Sequence, residues 1–326
     1  MVIPVGLARL SSPGRWHASS KGGTLGQMED DDRMRILIAG CGYVGRATAK
    51  LFVAAGCSVE GWTRSAASAA ELAKAGFPVR AVDASDAEAI TRAGGEYEII
   101  ILSVSSGGGG ADAYRRTYLE SVRNLVRAFP RARLLFTSST SVYAQSGGEW
   151  VTEASEAAPE RETGRILREA EDLVLASGGV VARLAGIYGP GRSALLRKFL
   201  EGTAVLDPTS DRYVNQAHRD DIAAAMLLLA RHSTGELGGE RMRSSRIFNV
   251  SDHHPLSQRD CYGWLAEKIG RPMPPEVRVA AERKRGNSNK RVSSAKLQAL
   301  GWTPRYPDFA TGMTESILPN LERCGA

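Results

Sequence analysis

Beyond Met34, short apolar runs alternate with stretches whose apolar residues recur at the spacing of one helix face. Residues 35–39 (RILIA) predict a buried strand. A glycine-rich turn follows, then a helix whose Val44, Ala47, Leu51 and Ala55 share a face and which stops at Gly56. The alternation continues with strands over 58–63, 78–82, 98–104, 133–137 and 180–184, separated by helices over 65–75, 86–93, 111–129 and 166–176. The run 98–104 (EIIILSV) is apolar almost throughout, as in parallel strands covered on both faces. Helices between such strands connect parallel neighbours, so the pattern predicts an α/β fold, a doubly wound parallel sheet with helices on both sides. Past residue 185 the alternation loosens into helices over 193–200, 219–232 and 257–269 around one strand at 247–250, which predicts a smaller C-terminal lobe. The expected organisation is a leader over 1–33, a first domain over 34–180, and over 181–326 mainly a second lobe interleaved with late strands of the sheet.

The leader lacks the pattern. Pro4, Pro13 and Gly22-Gly23 interrupt any amphipathic helix, and Glu29-Asp30-Asp31-Asp32 is too acidic for a transit peptide. It reads either as a disordered extension or as residues ahead of a working start at Met34. No uninterrupted apolar run approaches the ~20 residues that span a bilayer, so no membrane partner is expected. The net charge is +6, but the basic residues are dispersed and the tightest cluster, Arg283-Lys284-Arg285, lacks interleaved aromatics. That argues against a nucleic-acid partner and fits a cleft that attracts a phosphorylated small molecule. Cys41, Cys57, Cys261 and Cys324 show neither CxxC pairing nor metal-ligand spacing, and His253-His254 stands apart from any ligand cluster. Reduced thiols, a cytoplasmic location and no metal are expected.

Gly40-Cys41-Gly42-Tyr43-Val44-Gly45 is G-x-G-x-x-G, placed directly after an apolar strand and opening an amphipathic helix. In that context it predicts a Rossmann-type dinucleotide turn. Gly40 permits the sharp bend, Gly42 lets a diphosphate approach the main chain, and Gly45 lets helix and strand pack closely. The N–H groups near Tyr43 and Val44 then face the phosphates. Thr63-Arg64 stands where an NAD-binding chain places an acid, about 19 residues after Gly45. A guanidinium suits a 2′-phosphate, so NADP(H) is favoured over NAD(H). Asp83 reads either as an acceptor for the adenine amino group or as a helix N-cap. Ser103, closing the fourth strand, joins the expected cofactor contacts.

Four further segments follow in order: Thr137-Ser-Ser-Thr-Ser-Val-Tyr143, Val181-Ala-Arg-Leu-Ala-Gly-Ile-Tyr-Gly-Pro-Gly191, His218-Arg-Asp-Asp221 and Phe248-Asn-Val-Ser251. Together with the turn they resemble an extended short-chain dehydrogenase/reductase of the NAD-dependent epimerase/dehydratase type, over residues 34 to about 310. Lys290-Arg-Val-Ser-Ser-Ala-Lys-Leu, Leu300-Gly-Trp302 and Tyr306-Pro307 are similar to an atypical bacterial subgroup. The resemblance implies chemistry carried by a Ser/Thr and a Tyr-x-x-x-Lys, the tyrosine moving a proton while the lysine lowers its pKa and holds the nicotinamide ribose. It places the serine on Ser139 and the Tyr-x-x-x-Lys window on residues 163–167, where Thr163 replaces the tyrosine and Leu167 the lysine. A threonine hydroxyl is far too weak an acid to replace a phenol whose pKa has been lowered from about 10, and leucine carries no charge. The family often dimerises through two helices packed into a four-helix bundle, which implies a homodimer.

Two functions remain open on these residues. The first is an NADP-dependent oxidoreductase or epimerase acting on a small hydroxy, carbonyl or nucleotide-sugar-like compound. Ser139 and Tyr143 are then the catalytic candidates, Tyr188, His218 and Asp220 are further proton-transfer groups, and Arg183, Arg192 and Arg212 are partners for substrate phosphates, with Tyr188 also placed at the substrate. The second is a non-catalytic sensor that reports NADP(H) by domain closure.

Overall fold

The protein is described from a computed structural model over residues 33–233, 246–278 and 288–322. The leader up to residue 32, the Arg283-Lys284-Arg285 cluster and Cys324 lie outside the described residues. Seven parallel strands form the central sheet: β1 (Arg35–Ala39), β2 (Ser58–Thr63), β3 (Val79–Ala81), β4 (Ile99–Leu102), β5 (Arg133–Ser139), β6 (Val180–Leu184) and β7 (Ile247–Val250). Their spatial order is β7-β6-β5-β4-β1-β2-β3, which reverses between β1 and β4. In an open parallel sheet that reversal opens a crevice beyond the strands' C-terminal ends, where ligands bind.

Eight helices matter for the site: α1 (Tyr43–Ala54), α2 (Ala66–Glu71), α3 (Ala87–Ala93), α4 (111–128, with a π-helical middle at Arg115–Glu120), α5 (Glu162–Ala176), α6 (Ala194–Leu200), α7 (Arg219–Ser233) and α8 (Gln258–Ile269). Successive side chains of a strand point to opposite faces, and β1 sorts accordingly. Ile36 and Ile38 join Phe52 of α1 and Ile222 and Met226 of α7 in one apolar cluster. Leu37 and Ala39 join Leu119 and Val122 of α4 and Ile166 and Leu167 of α5 in the other. A third cluster, with Tyr188, Phe199, Tyr262, Leu265, Phe309 and Met313, gives the C-terminal part of the chain its own core.

That part also completes the sheet. β7 pairs in parallel with β6, and α7 packs against α1, so the first domain is finished by residues well past 180. The outer edge of β7 is covered mainly by the late stretch of the chain, with Glu153 added from the segment after β5. Asn249 N donates to Glu153 Oε1 at 2.7 Å, Lys296 Nζ to Ile247 O at 2.7 Å and Ser251 Oγ to Val292 O at 3.0 Å. Arg291–Val292 pairs in parallel with Trp150–Val151 beside them. An uncovered edge strand is a template for unwanted pairing, and this cover removes it. Asp221 ties in the rest of the stretch: its carboxylate accepts from Arg305 N at 2.6 Å and Tyr306 N at 3.0 Å, and its main-chain oxygen accepts from Trp302 Nε1 at 3.1 Å.

Two local expectations change. α2 ends at Glu71 rather than Ala75, and none of its side chains is buried, so it has no packed face to prolong it. The N-cap of α3 is Asp86, which accepts from Glu88 N and Ala89 N, and not Asp83.

Candidate functional site

The glycine turn is shaped by three different requirements. Gly40 has φ of +91°, and a Cβ there would lie 2.6 Å from the main chain of Ser103. A Cβ on Gly45 would lie 2.3 Å from Gly40 O, so α1 sits as close to β1 as main chains allow. At Gly42 a Cβ would meet nothing within 4 Å. Trp62 O accepts from Gly40 N at 3.0 Å and Cys41 N at 2.7 Å, which pins the turn to the end of β2. α1 begins without a side-chain cap and without an acid in its first turn. A helix start of this kind presents N–H donors and partial positive charge to an anion. The residues fit a diphosphate: an open face at Gly42, uncapped donors behind it, and no acid in the helix's own first turn.

Tyr43 links this turn to the second lobe. Its hydroxyl donates to Pro190 O at 3.0 Å, and its ring lies between the guanidinium groups of Arg192 (5.3 Å) and Arg219 (5.1 Å). Burial raises the Tyr43 pKa even with those two cations beside it. The loop that carries Gly189 and Arg192 therefore lies against the start of α1 and brings positive charge to it. Arg64 is exposed at the end of β2, where Ser65 caps α2. Asp83 spends one carboxylate oxygen on its own turn, accepting from Ser85 N at 2.9 Å and Ser85 Oγ at 2.8 Å. The contribution of Ser103 is its main chain, which fills the space under Gly40.

At the end of β5, Ser139 is half-buried and its Oγ accepts from Ser141 N at 3.1 Å, capping the turn Thr140–Val142. Several of the other expected residues turn inward. Tyr143 is fully buried, donating to Asn249 Oδ1 at 3.0 Å and accepting from Arg183 Nη1 at 2.8 Å, and burial raises its pKa. Such a phenol is committed to the interior and is not placed to hand a proton to a substrate. Arg183 is only 2% exposed and pairs with the fully buried Glu171 through Nε (3.0 Å) and Nη2 (2.7 Å). Glu171 also accepts from Ser138 Oγ at 2.6 Å and from Arg168. Arg183 is thus an internal countercharge rather than a substrate contact, and Glu171 is the residue that the expectation missed. Tyr188 is buried edge-on to His218 with ring centres 5.2 Å apart, and its hydroxyl has no partner among the described residues. Arg212 reaches Ser288 O, and Asp220 pairs with Arg219 at 2.8 Å. Leu167 is a core residue of the α5 face, whereas Thr163 is half-buried.

His218 is buried, and its Nδ1 accepts from Asp220 N at 3.2 Å. Nε2 therefore carries the hydrogen and donates to Ser316 Oγ at 2.9 Å. Burial lowers its pKa from 6.5 to about 4. Between those values the unfolded imidazole binds a proton that the folded one refuses, so the stability is present above pH 6.5 and lost as the pH falls towards 4. The loss amounts to about 3 kcal/mol. Denaturant titrations across this window should show a steeper pH dependence for the wild type than for His218→Gln; equal slopes would remove this role.

The model of the NAD-dependent epimerase/dehydratase family matches residues 36–250, a span that runs from β1 through the glycine turn to β7. The chain belongs to that family. Among curated proteins it is 28% identical to Protein YeeZ of Escherichia coli K12 over 288 residues, covering 84% of this chain and 97% of that one. Among solved structures, a Methylobacillus flagellatus protein provisionally described as an NAD-dependent epimerase/dehydratase is 29% identical. It superimposes with a TM-score of 0.71 over 90% of this chain and 99% of its own. The Thermus thermophilus UDP-glucose 4-epimerase, solved as a complex with NAD, shares the fold at 20% identity, with a TM-score of 0.70 over 90% of this chain and all of its own. Among the described residues no helix is long and apolar enough to cross a membrane.

Proposed function

We propose that the family member described above binds NADP(H) on the 40–45 turn and acts as an oxidoreductase or epimerase on a small hydroxy, carbonyl or nucleotide-sugar-like compound. The observation that carries this reading is the open face at Gly42 in front of an uncapped helix start. When bound, the nicotinamide supplies hydride transfer. The protein's share is to hold the diphosphate on the first turn of α1, to bring Arg192 and Arg219 alongside through Tyr43, and to present Ser139 at the end of β5. With Thr163 and Leu167 in the usual Tyr and Lys positions and Tyr143 committed to Asn249 and Arg183, proton transfer follows a route other than the Tyr-x-x-x-Lys pair. The same two replacements favour a second reading, a cofactor sensor without turnover. NADPH and NADH titrations, followed by hydride loss with a panel of carbonyl compounds, separate the two. Turnover that falls on Ser139→Ala supports the enzyme, and tight binding with no turnover on any compound supports the sensor.

The preference for the 2′-phosphate rests on Arg64. Its exposed position leaves the guanidinium available to a phosphate, with no acid at the end of β2 to favour a ribose hydroxyl. Arg64→Ala is expected to weaken NADPH roughly tenfold or more and NADH hardly at all, since a hydrogen bond to a charged group is worth about 1.5–3 kcal/mol. Equal losses for both cofactors would refute the preference. A cytoplasmic location fits the buried thiols of Cys41 and Cys261. Adjacent packing of α4 and α5 provides the two-helix face through which a homodimer of this family would form.

A further inference from the structure

One short turn beyond Ser139, two polar groups are left under-satisfied by the protein itself. Lys290 is 7% exposed, and its ammonium donates a single hydrogen bond, to Tyr143 O at 2.8 Å. An ammonium has three N–H donors, so two of them lack an acceptor among the described residues, and no carboxylate pairs with it there. Burial, with repulsion from Arg212, pulls its pKa from 10.5 down to about 8. The second group is Gln145. Its Oε1 is buried without a hydrogen-bond partner among the described residues, while its Nε2 donates to Glu156 O at 2.9 Å. Exchanging the amide oxygen and nitrogen would set two oxygens against each other at Glu156, so the orientation is fixed.

The two groups belong to one place. Asn289 N donates to Gln145 O at 2.9 Å and Lys290 Nζ to Tyr143 O, so residues 289–290 lie alongside 143–145. The surrounding amides are well satisfied. Asn215 Nδ2 donates to Lys290 O at 2.8 Å, Asn215 Oδ1 accepts from Val292 N at 2.7 Å, and Asn289 Oδ1 accepts from Tyr213 N at 3.0 Å. Folded proteins rarely bury a polar group without a partner, and a buried cation without one is costlier still. Here an unused donor and an unused acceptor sit in the same stretch.

We propose that Lys290 and Gln145 form a subsite for a hydroxyl group of the substrate, whose oxygen accepts from the Lys290 ammonium and whose hydrogen is donated to Gln145 Oε1. The chemistry selects the group. A carboxylate or phosphate would satisfy the lysine but repel the amide oxygen, and a carbonyl has nothing to donate. The ligand class is therefore a hydroxy or polyhydroxy compound. Lys290 also places a cation at the main chain of Tyr143, four residues from Ser139 in sequence, whereas Leu167 carries none. This deepens the proposed function, because it takes the chain next to Ser139 as the substrate side.

Crystals of the full chain, with and without NADPH, soaked in glycerol as the hydroxyl probe, test it. A glycerol hydroxyl is expected within about 3 Å of both Lys290 Nζ and Gln145 Oε1. Gln145→Leu is expected to lose the glycerol while its melting midpoint falls by no more than about 4 °C, the cost of the one hydrogen bond from Nε2 to Glu156 O. Ordered water alone between the two groups, or an adventitious additive only (glycerol bound without touching both), overturns the subsite. A fall of more than about 5 °C in Gln145→Leu does so too, by making the residue structural. Failure of NADPH to bind would sink the dinucleotide reading and leave the glycerol result standing; glycerol absent from NADPH-loaded crystals would sink the subsite alone.

Discussion

Gly42→Asp is expected to cost roughly 100-fold or more in NADPH affinity while leaving the fold as stable as before. The two effects separate because of where the side chain goes. A Cβ at Gly42 meets nothing within 4 Å, so the substitution strains no contact. Gly42 is also the N-cap of α1, where an aspartate accepts from first-turn N–H groups and adds a few tenths of a kcal/mol relative to glycine. The same carboxylate then occupies the face that a diphosphate needs and repels it at short range, where like unit charges near a protein surface cost about 4 kcal/mol. Calorimetry with NADPH and a thermal melt on the same sample measure both quantities. Unchanged affinity would mean that the dinucleotide does not lie on this turn.

The second large effect is on stability. Glu171→Gln keeps the shape of the side chain but removes the charge that answers Arg183, which is 2% exposed and has no water to turn to. Removing one member of a buried pair typically costs about 3–5 kcal/mol. In a chain of this size that lowers the melting midpoint by on the order of 10 °C. Arg183 also holds the Tyr143 hydroxyl, so the disturbance spreads to the turn after β5. The double variant Glu171→Leu/Arg183→Met should recover much of the loss, because no charge is left buried. A loss under about 1 kcal/mol in Glu171→Gln would show that water reaches the pair.

The doubly wound sheet is legible in the apolar runs because parallel strands buried on both faces carry little besides Val, Ile and Leu. What the runs do not encode is adjacency. The segment 247–250 reads as a strand, yet nothing in its composition says that it lies beside β6. Glycine spacing locates the turn because Gly40 and Gly45 each meet a steric demand that only glycine satisfies, while Gly42 leaves the face before the helix open. Side-chain direction explains the rest. Tyr143 lies four residues from Ser139 in sequence, but its hydroxyl is buried against Asn249 and Arg183, and no spacing rule foretells that. Glu171 was open to inference: it falls on the stripe Ile166, Leu167, Ala170 and Val174 that α5 buries, and a lone acid on such a stripe calls for a buried partner. Arg183, the lone charge in the strand VVARL, is that partner. Gln145 and Lys290 meet only through the tertiary fold.

The position of β7 also dictates an order of assembly. During synthesis the sheet grows outward through β6, whose free side stays bare until the final quarter of the chain supplies both its neighbour and most of the cover over that neighbour. Long-range parallel pairings form slowly, and half-finished intermediates expose sticky borders. A truncation shortly after residue 233 would trap the chain in that condition, so this protein should depend on its last eighty or so residues for solubility as well as for shape.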